Sequence, residues 1–309
     1  MKVISKIILF ISIFIFLYYT LSYLLLPKYN IKKFGLYKTS LYEILGEKPS
    51  SIDIIALGDS LVYSSIIPVE LYENYGITAF DCAKPAITMP DAYDYLKIAL
   101  ESQKPTLVFL EANMFFRDTS KKPWYTEYLK VLQNALPLIN YHNNWKSFLF
   151  NQDSLLSAEK GYKLNQNIKP SINKDYMQKS DDSYQIFPEN LKIIKKMLKL
   201  LREYQVEVVI LGLPSQHSWN YAKDQTIQKF VQDYNLTYLN LNNINLDIDW
   251  EHDTKDYGSH LNYYGAKKVT DYLGNYLKTN YQFSLKKDSA IVNIWENAYK
   301  IHKEKLKTY

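Results

Sequence analysis

The sequence predicts an α/β fold in which a parallel sheet of about five strands lies between two layers of helices, a three-layer sandwich preceded by one transmembrane helix. Short apolar runs that end at turn residues recur along the chain, segments with helical periodicity separate them, and one long uncharged run lies near the N-terminus. The 309 residues, 47% hydrophobic and 22% charged, have the composition of a globular protein rather than of a disordered or collagen-like one.

The uncharged run covers residues 7–26 and reads IILFISIFIFLYYTLSYLLL. About twenty residues at 1.5 Å each cross a hydrocarbon core of roughly 30 Å. Pro27, Lys28 and Tyr29 follow the run where a signal peptide would have small residues for cleavage, so we expect an uncleaved anchor. Lysines flank both ends and do not decide the orientation. Because a very short N-terminal tail usually stays in the cytoplasm, we expect a single-pass protein of the cell membrane with its main domain outside.

The elements of the sheet follow in order. IDIIALG, residues 52–58, is an apolar run apart from Asp53 and ends in glycine, as strands buried on both faces do. A helix is expected after it, and the alternation of strand and helix then predicts right-handed crossovers in a parallel sheet. The other predicted strands are 77–83, 106–112, 206–214 and 236–241, and the other predicted helices are 89–102, 188–204, 222–234 and 263–278.

These elements suggest three parts: an anchor at 1–30, an α/β domain at 31–286 and an amphipathic helix at 287–309. A stretch rich in Tyr, Trp and Asn interrupts the alternation at about 114–187 and is predicted to be an insertion near the strand ends, where such sheets bind ligands. The last helix could pack on the domain or contact the membrane, and packing is the favoured interpretation.

The charge pattern excludes several classes of partner. The net charge of +5 comes almost entirely from scattered lysines, with only two arginines, so no nucleic-acid partner is predicted. A single cysteine, Cys82, can form neither an internal disulfide nor a cysteine-based zinc site. No cofactor is predicted.

Two motifs carry candidate chemistry. Gly58-Asp59-Ser60-Leu61 ends the first strand and places a serine at a strand-to-helix turn, although such a serine is often only a helix cap. WEHDTKDYGSHLNYYGA, residues 250–266, supplies His260 shortly after Asp253 and Asp256. A serine nucleophile needs a base, and the base needs a carboxylate, so Ser60, His260 and Asp256 form a candidate triad. A metal cluster of His252, Asp253, Asp256 and His260 is the alternative.

Taken together, three blocks resemble the SGNH (GDSL) hydrolase superfamily, whose fold is flavodoxin-like. They are Gly58-Asp59-Ser60-Leu61, Asn113 after the third strand, and Asp256…His260-Leu261-Asn262…Gly265. The ordered set covers most of residues 52–279. The chain looks most like the membrane-anchored branch that modifies cell-surface polymers, such as the D-alanyl transfer protein of teichoic acid synthesis and alginate acetyltransferases. The stretches 137–146 and 260–273 add to this resemblance.

The resemblance implies roles for single residues. Ser60 would be the nucleophile, His260 the base and Asp256 the carboxylate that orients it. Asn113 and the N–H of Ser60 would form the oxyanion hole with Ala83 or Ala86, where the family has glycine. Alanine can serve if its backbone need not adopt a positive φ. The family's aspartate lies three residues before the histidine, a position that Tyr257 fills here, so Asp253 remains an alternative to Asp256.

The predicted activity is that of a membrane-anchored serine esterase or O-acyltransferase. It would act on acetyl or D-alanyl esters of a cell-surface glycan or polymer, with His217, Trp219 and Tyr63 contacting the substrate. The alternative is a non-catalytic polymer-binding partner of an integral-membrane acyltransferase, which the altered aspartate spacing and the missing glycine favour. A metal-dependent phosphoesterase is a third, weaker hypothesis.

Overall fold

The computed structural model describes residues 2–25, 40–118, 158–171, 175–283 and 288–308. Two compact units divide the chain: Met1–Gly46 with Ser120–Leu156, and Glu47–Thr119 with Ser157–Tyr309. In the first unit, the described elements are helix α1, Lys2–Leu25, and a short 3₁₀ helix, Ser40–Gly46. Within α1, residues Val3–Leu24 have a mean hydropathy of 2.2, and among the described helices this is the one long and apolar enough to cross a membrane.

The second unit is built on a five-stranded sheet in which every neighbouring pair is parallel. The sheet order is β2-β1-β3-β4-β5. Every residue of β1, β2 and β3 is buried, as expected for strands covered on both faces. The predicted α/β fold is therefore confirmed. The strands are β1, Ile54–Gly58; β2, Ala79–Ala83; β3, Leu107–Glu111; β4, Glu207–Gly212; and β5, Thr237–Asn240.

Helices cover the sheet in two groups. α2, Val62–Ser65, and α3, Pro68–Tyr75, pack with α7, Tyr263–Asn280, over a core that includes Ile54, Phe109 and Leu273. α4, Met89–Ser102, packs with α5, Pro188–Glu203. α6, Tyr221–Tyr234, packs beside β5. The helices and the sheet together bury both faces of the strands.

The helix expected after the first strand is divided into two. α2 ends at Ser65, and α3 begins at Pro68 after two non-helical residues, Ile66 and Ile67. Proline lacks an N–H and disfavours helical geometry in the residue before it, so a helix can start at Pro68 but cannot run through it. The break keeps α2 to a single turn directly after Ser60.

The C-terminal helix α8, Ser289–Thr308, packs on the second unit, as the favoured interpretation predicts. Trp295, Ala298 and His302 are buried, and the Trp295 ring lies 5.1 Å from that of Tyr72 on α3, centroid to centroid. The apolar face of α8 is therefore occupied by the domain.

The predicted insertion at 114–187 is only partly described. Residues 158–171 and 175–187 contain no helix or strand, whereas 119–157 and 172–174, including the stretch 137–146, lie outside the described residues. The segment 158–171 lies against α2 and the start of α7. The Lys163 N–H donates a hydrogen bond to the Tyr63 carbonyl, and the Tyr263 N–H donates one to the Asn165 carbonyl.

Candidate active site

Ser60 lies in the turn that joins β1 to α2, at the carboxyl edge of the sheet. The glycine before this turn is required by close packing. A Cβ on Gly58 would lie 2.4 Å from the Cβ of Glu111 and 2.5 Å from Val62. Both contacts are shorter than real side chains show, so the missing side chain lets β3 and α2 approach the strand end that positions Ser60.

His260 comes from a loop that is closed on itself by hydrogen bonds. The Thr254 hydroxyl donates to the His260 carbonyl at 2.9 Å and accepts from the Gly258 N–H at 2.8 Å. Tyr257 and Gly258 have φ values of +60° and +93°. These two left-handed residues tighten the loop, and the side chains of Asp256 and His260, four residues apart, meet across it.

The three predicted triad residues form one hydrogen-bonded chain. The Nε2 of His260 lies 2.8 Å from the Ser60 hydroxyl, and its Nδ1 lies 2.5 Å from the Asp256 carboxylate. A second Asp256 oxygen accepts the backbone N–H of His260 at 2.7 Å. Because an ionised carboxylate only accepts, Nδ1 carries a proton, and in the tautomer that this contact fixes the lone pair is on Nε2, which faces the serine hydroxyl.

Asp256 is held in its ionised form. Burial raises the pKa of its carboxyl, but the hydrogen bonds and charge of His260 outweigh burial, so this pKa lies below its usual value. A carboxylate that stays ionised can stabilise an imidazolium that forms beside it.

Asp253, the alternative to Asp256, has other partners. Its carboxylate accepts from the Lys268 ammonium and from the Asp249 N–H, each at 2.7 Å. His252 contacts Asp249 at 2.7 Å. The four residues of the alternative metal cluster are thus engaged in separate contacts, and among the described residues no group of three or more such side chains could hold a metal ion.

Asn113 lies in a 3₁₀ helix, Ala112–Phe116, directly after β3. Its Nδ2 donates to Asp59 at 3.0 Å, and its Oδ1 accepts from the Lys223 ammonium at 3.0 Å. Asp59 is buried and also accepts from Arg117 at 2.9 Å and from the Leu61 N–H at 2.9 Å. One amide hydrogen of Asn113 is therefore engaged with Asp59, and the second makes no hydrogen bond to any residue that the structure describes.

Glu111 caps the 3₁₀ helix that holds Asn113. Its carboxyl accepts from the Asn113 N–H at 2.6 Å and from the Met114 N–H at 3.3 Å. Complete burial, together with the negative charge of Asp59, raises the pKa of the Glu111 carboxyl well above its usual range. Glu111 thus fixes the backbone of Asn113 from inside the protein.

The two alanines predicted for the oxyanion hole differ in backbone conformation. Ala83 ends β2 and lies in register with Gly58. Ala86 is exposed in the following turn and has φ +51°, the left-handed conformation that the expectation for alanine excluded. Alanine in this conformation costs about 1–2 kcal/mol relative to a helical or extended one. The turn therefore has the backbone that a glycine would adopt freely.

The predicted substrate contacts fall in three different settings. Burial raises the pKa of the Tyr63 phenol, although a hydrogen bond with Ser60 opposes this, which places Tyr63 beside the serine. His217 is exposed, and its Nε2 lies 2.8 Å from the Tyr257 carbonyl in the His260 loop. Trp219 is 1% exposed and packs against Phe116, so it offers no open face to a substrate. The indole of Trp219 is thus part of the interior, and its predicted contact with a substrate stays a prediction.

Two residues of this site were not found from the sequence. Arg117 is one of only two arginines and follows the third strand, which is a weak signal for a role near its end. Lys223 lies in the first turn of α6, and no feature of the sequence distinguishes it from the other lysines. Both are brought to Asp59 and Asn113 by the order of the strands, which places β3 between β1 and β4.

Comparisons with known proteins give a likeness of fold at low identity. No protein-family model matches the sequence, and no curated protein matches it. The chain is similar to a putative lipolytic protein of the G-D-S-L family from Desulfitobacterium hafniense DCB-2, with 12% identity, a TM-score of 0.41, and coverage of 72% of this chain and 97% of that one.

Two solved esterases are similar to the same degree. The psychrotrophic esterase EstA from Pseudoalteromonas sp. is 11% identical with a TM-score of 0.41, covering 73% of this chain and 96% of its own. A family 3 carbohydrate esterase from Clostridium thermocellum is 15% identical with a TM-score of 0.39, covering 73% and 94%. The chemistry of this chain has to be argued from its own residues.

Proposed function

We propose that this protein is a serine esterase or O-acyltransferase in which Ser60, His260 and Asp256 act as one unit. The observation that carries the proposal is the continuous hydrogen-bonded chain from the Ser60 hydroxyl through both ring nitrogens of His260 to Asp256. In this arrangement a weak nucleophile is activated by a base whose tautomer is fixed by a carboxylate.

The first step transfers an acyl group to Ser60. The serine oxygen attacks the ester carbonyl while its proton moves to Nε2 of His260, and the imidazolium that forms is stabilised by Asp256. The tetrahedral intermediate collapses when the alcohol leaves with that proton, and the acyl group stays on Ser60. Water or a sugar hydroxyl then attacks the acyl-enzyme, with His260 again as the base, and releases the acid or a new ester.

The negative charge that develops on the carbonyl oxygen needs donors that are already in place. The backbone N–H of Ser60 and the second amide hydrogen of Asn113 are the donors we assign to it, with the N–H of Ala83 or Ala86 as the third. Preorganised donors of this kind are each worth on the order of 10²–10³ in kcat.

The substrate we propose is an acetyl or D-alanyl ester on a cell-surface polymer. Its support is the apolar helix at Val3–Leu24, which is long enough to anchor the protein in the cell membrane, where a surface polymer is a nearer substrate than a soluble metabolite. The partner that the sequence analysis predicts, an integral-membrane acyltransferase, would meet the protein at the cell membrane. Protease treatment of intact cells tests this arrangement, because a domain outside the cytoplasm should be digested and one inside should be protected.

Turnover of a small acetyl ester by the full-length protein tests the activity. We expect acetate release from the wild type, and its loss in Ser60→Ala with no change in melting temperature. A polymer-binding partner without catalytic activity would show no release from either form. A metal-dependent phosphoesterase would cleave phosphate esters and would not respond to the loss of Ser60.

A further inference from the structure

Lys223 contacts the side chain that we assign to the oxyanion hole, although 110 residues separate the two. Its ammonium donates to Asn113 Oδ1 at 3.0 Å and to the Ser218 carbonyl at 2.7 Å. It also lies 5.4 Å from the ring centroid of Phe116 and the same distance from that of Tyr184. The ammonium is thus held from several sides, with Asn113 as one of its hydrogen-bond acceptors.

These contacts fix the orientation of the Asn113 amide. A carboxamide has an acceptor end and a donor end, and it can be turned by 180° at little cost unless its partners differ. The Lys223 ammonium can only donate, and the Asp59 carboxylate accepts from the Asn113 amide, from Arg117 and from the Leu61 N–H. Reversing the amide would point its NH₂ group at an ammonium and its oxygen at a carboxylate. A single orientation is therefore allowed.

The location of Lys223 is unfavourable for a cation. It lies in the first turn of α6, where the partial positive charge of the helix N-terminus repels it. Burial and the nearby charge of Arg117 lower its pKa, against the opposing charges of Glu111 and Asp59, and the net pKa is below the usual lysine value. Any neutral donor could bond the Ser218 carbonyl, so that contact does not explain a charged group at this position. To fix the orientation of the Asn113 amide, the group must donate and be unable to accept, and an ammonium meets this requirement.

We propose that Lys223 is a positioning residue for Asn113. By holding Oδ1, it commits one amide hydrogen to Asp59 and leaves the other directed to the oxyanion that forms at Ser60. Arg117 assists by holding the Asp59 carboxylate in place, with its guanidinium 2.9 Å away. This inference rests on the proposed function, since it assigns Lys223 a part in the same reaction.

Lys223→Met in the full-length protein is the test, because methionine has a similar length and cannot donate. We expect kcat on a small acetyl ester to fall on the order of 10- to 100-fold, less than the loss expected for removing a donor outright, with KM within about twofold. In an Asn113→Ala background the same substitution should cost nothing further, because the group that it orders is absent. Lys195→Met is the control, since Lys195 also lies over a tyrosine ring, 5.6 Å from the Tyr234 centroid, on the outer helix α5.

Lys223→Gln provides a second variant in case the methionine form does not fold. Its side-chain amide can still donate to Asn113, so kcat should lie between those of the wild type and Lys223→Met. A loss that is the same in the Asn113→Ala background as in the wild type would show that Lys223 acts elsewhere and would overturn the inference. An unchanged kcat in both Lys223 variants, with Asn113→Ala impaired, would overturn it and leave the proposed function intact. If the wild-type protein did not hydrolyse the acetyl ester, both the inference about Lys223 and the proposed function would be contradicted.

Discussion

Two histidines of the second unit, His260 and His302, have partners on both ring nitrogens, and their surroundings differ. His260 is 23% exposed and has Asp256 on one ring nitrogen and the Ser60 hydroxyl on the other. His302 is completely buried, with Glu159 at 2.7 Å from Nδ1 and Glu70 at 3.4 Å from Nε2. Burial lowers the pKa of His302, but the two glutamates outweigh it and raise this pKa to about 9.

The second partner of each ring decides what the histidine can do. Two carboxylates require a proton on both nitrogens, so His302 is a fixed cation that joins α8 to α3 and to the segment that contains Glu159. A carboxylate and a hydroxyl require a proton on only one ring nitrogen, Nδ1. The other nitrogen of His260, Nε2, therefore keeps a lone pair that can accept the serine proton. The same residue types therefore give a structural ion cluster in one place and a candidate catalytic base in the other.

Replacing each histidine by alanine should separate these two roles most clearly. His260→Ala and Ser60→Ala should each lower kcat on a small acetyl ester by on the order of 10⁴-fold or more, because a triad loses nearly its whole effect with one member. His302→Ala, assayed at a temperature where it is folded, should keep kcat within about threefold. Comparable losses from the two histidines would remove the distinction.

Replacing the aspartates near His260 should have a somewhat smaller effect on kcat than replacing the histidine itself. Asp256→Asn should lower kcat by roughly 10³- to 10⁴-fold, since asparagine no longer fixes the tautomer of His260. Asp253→Asn is the matched control because Asp253 bonds Lys268 and the Asp249 N–H instead. Steady-state kinetics on both variants measure this. Activity lost with Asp253 and kept with Asp256 would transfer the orienting role to Asp253.

Stability should show the reverse order of the two histidines. His302→Ala leaves Glu70 and Glu159 buried without their shared cation, and breaking a buried ion pair in this way costs about 3–5 kcal/mol. Urea unfolding of the full-length protein, with His260→Ala as the comparison, measures the difference. A larger loss of unfolding free energy for His260→Ala would mean that the cluster around His302 is not the structural one.

The pH dependence of stability gives the smallest expected effect. Because the folded pKa of His302, about 9, is above its unfolded value of 6.5, its contribution is complete below pH 6.5 and is lost as the pH rises through 9. The contribution is at most about 3 kcal/mol. The melting temperature of the wild type should fall over this range more than that of His302→Gln. Parallel curves for the two proteins would contradict the assignment.

The sequence alone predicted the sheet because the relevant signals are local. Apolar runs such as 52–58 and the order of strands and helices are visible in the residues themselves, and Ser60 and His260 stand out by following a strand and preceding a helix. The break at Pro68 is also a local effect, although it was not predicted. These features depend on neighbours in the chain, which a sequence displays directly.

The environment of the site could not be predicted in the same way. Lys223 contacts Asn113 and Arg117 contacts Asp59 because the strand order of the folded sheet brings these residues together. The sequence around a single lysine does not indicate such a contact. Trp219 was predicted as a substrate contact, whereas its indole is buried and packs against Phe116 from a distant part of the chain. The left-handed backbone of Ala86 could not be predicted either, because alanine rarely adopts a positive φ and does so here as part of a turn.

Covalent labelling of Ser60 by a fluorophosphonate tests the central claim most directly. The reagent phosphonylates serines that are activated by a base, whatever their natural substrate. We expect the full-length wild type to gain one label on the peptide that contains Ser60, His302→Ala to be labelled at a similar rate, and His260→Ala to be labelled far more slowly. No label on Ser60 in the folded wild type, or equal labelling of the wild type and His260→Ala, would contradict the account.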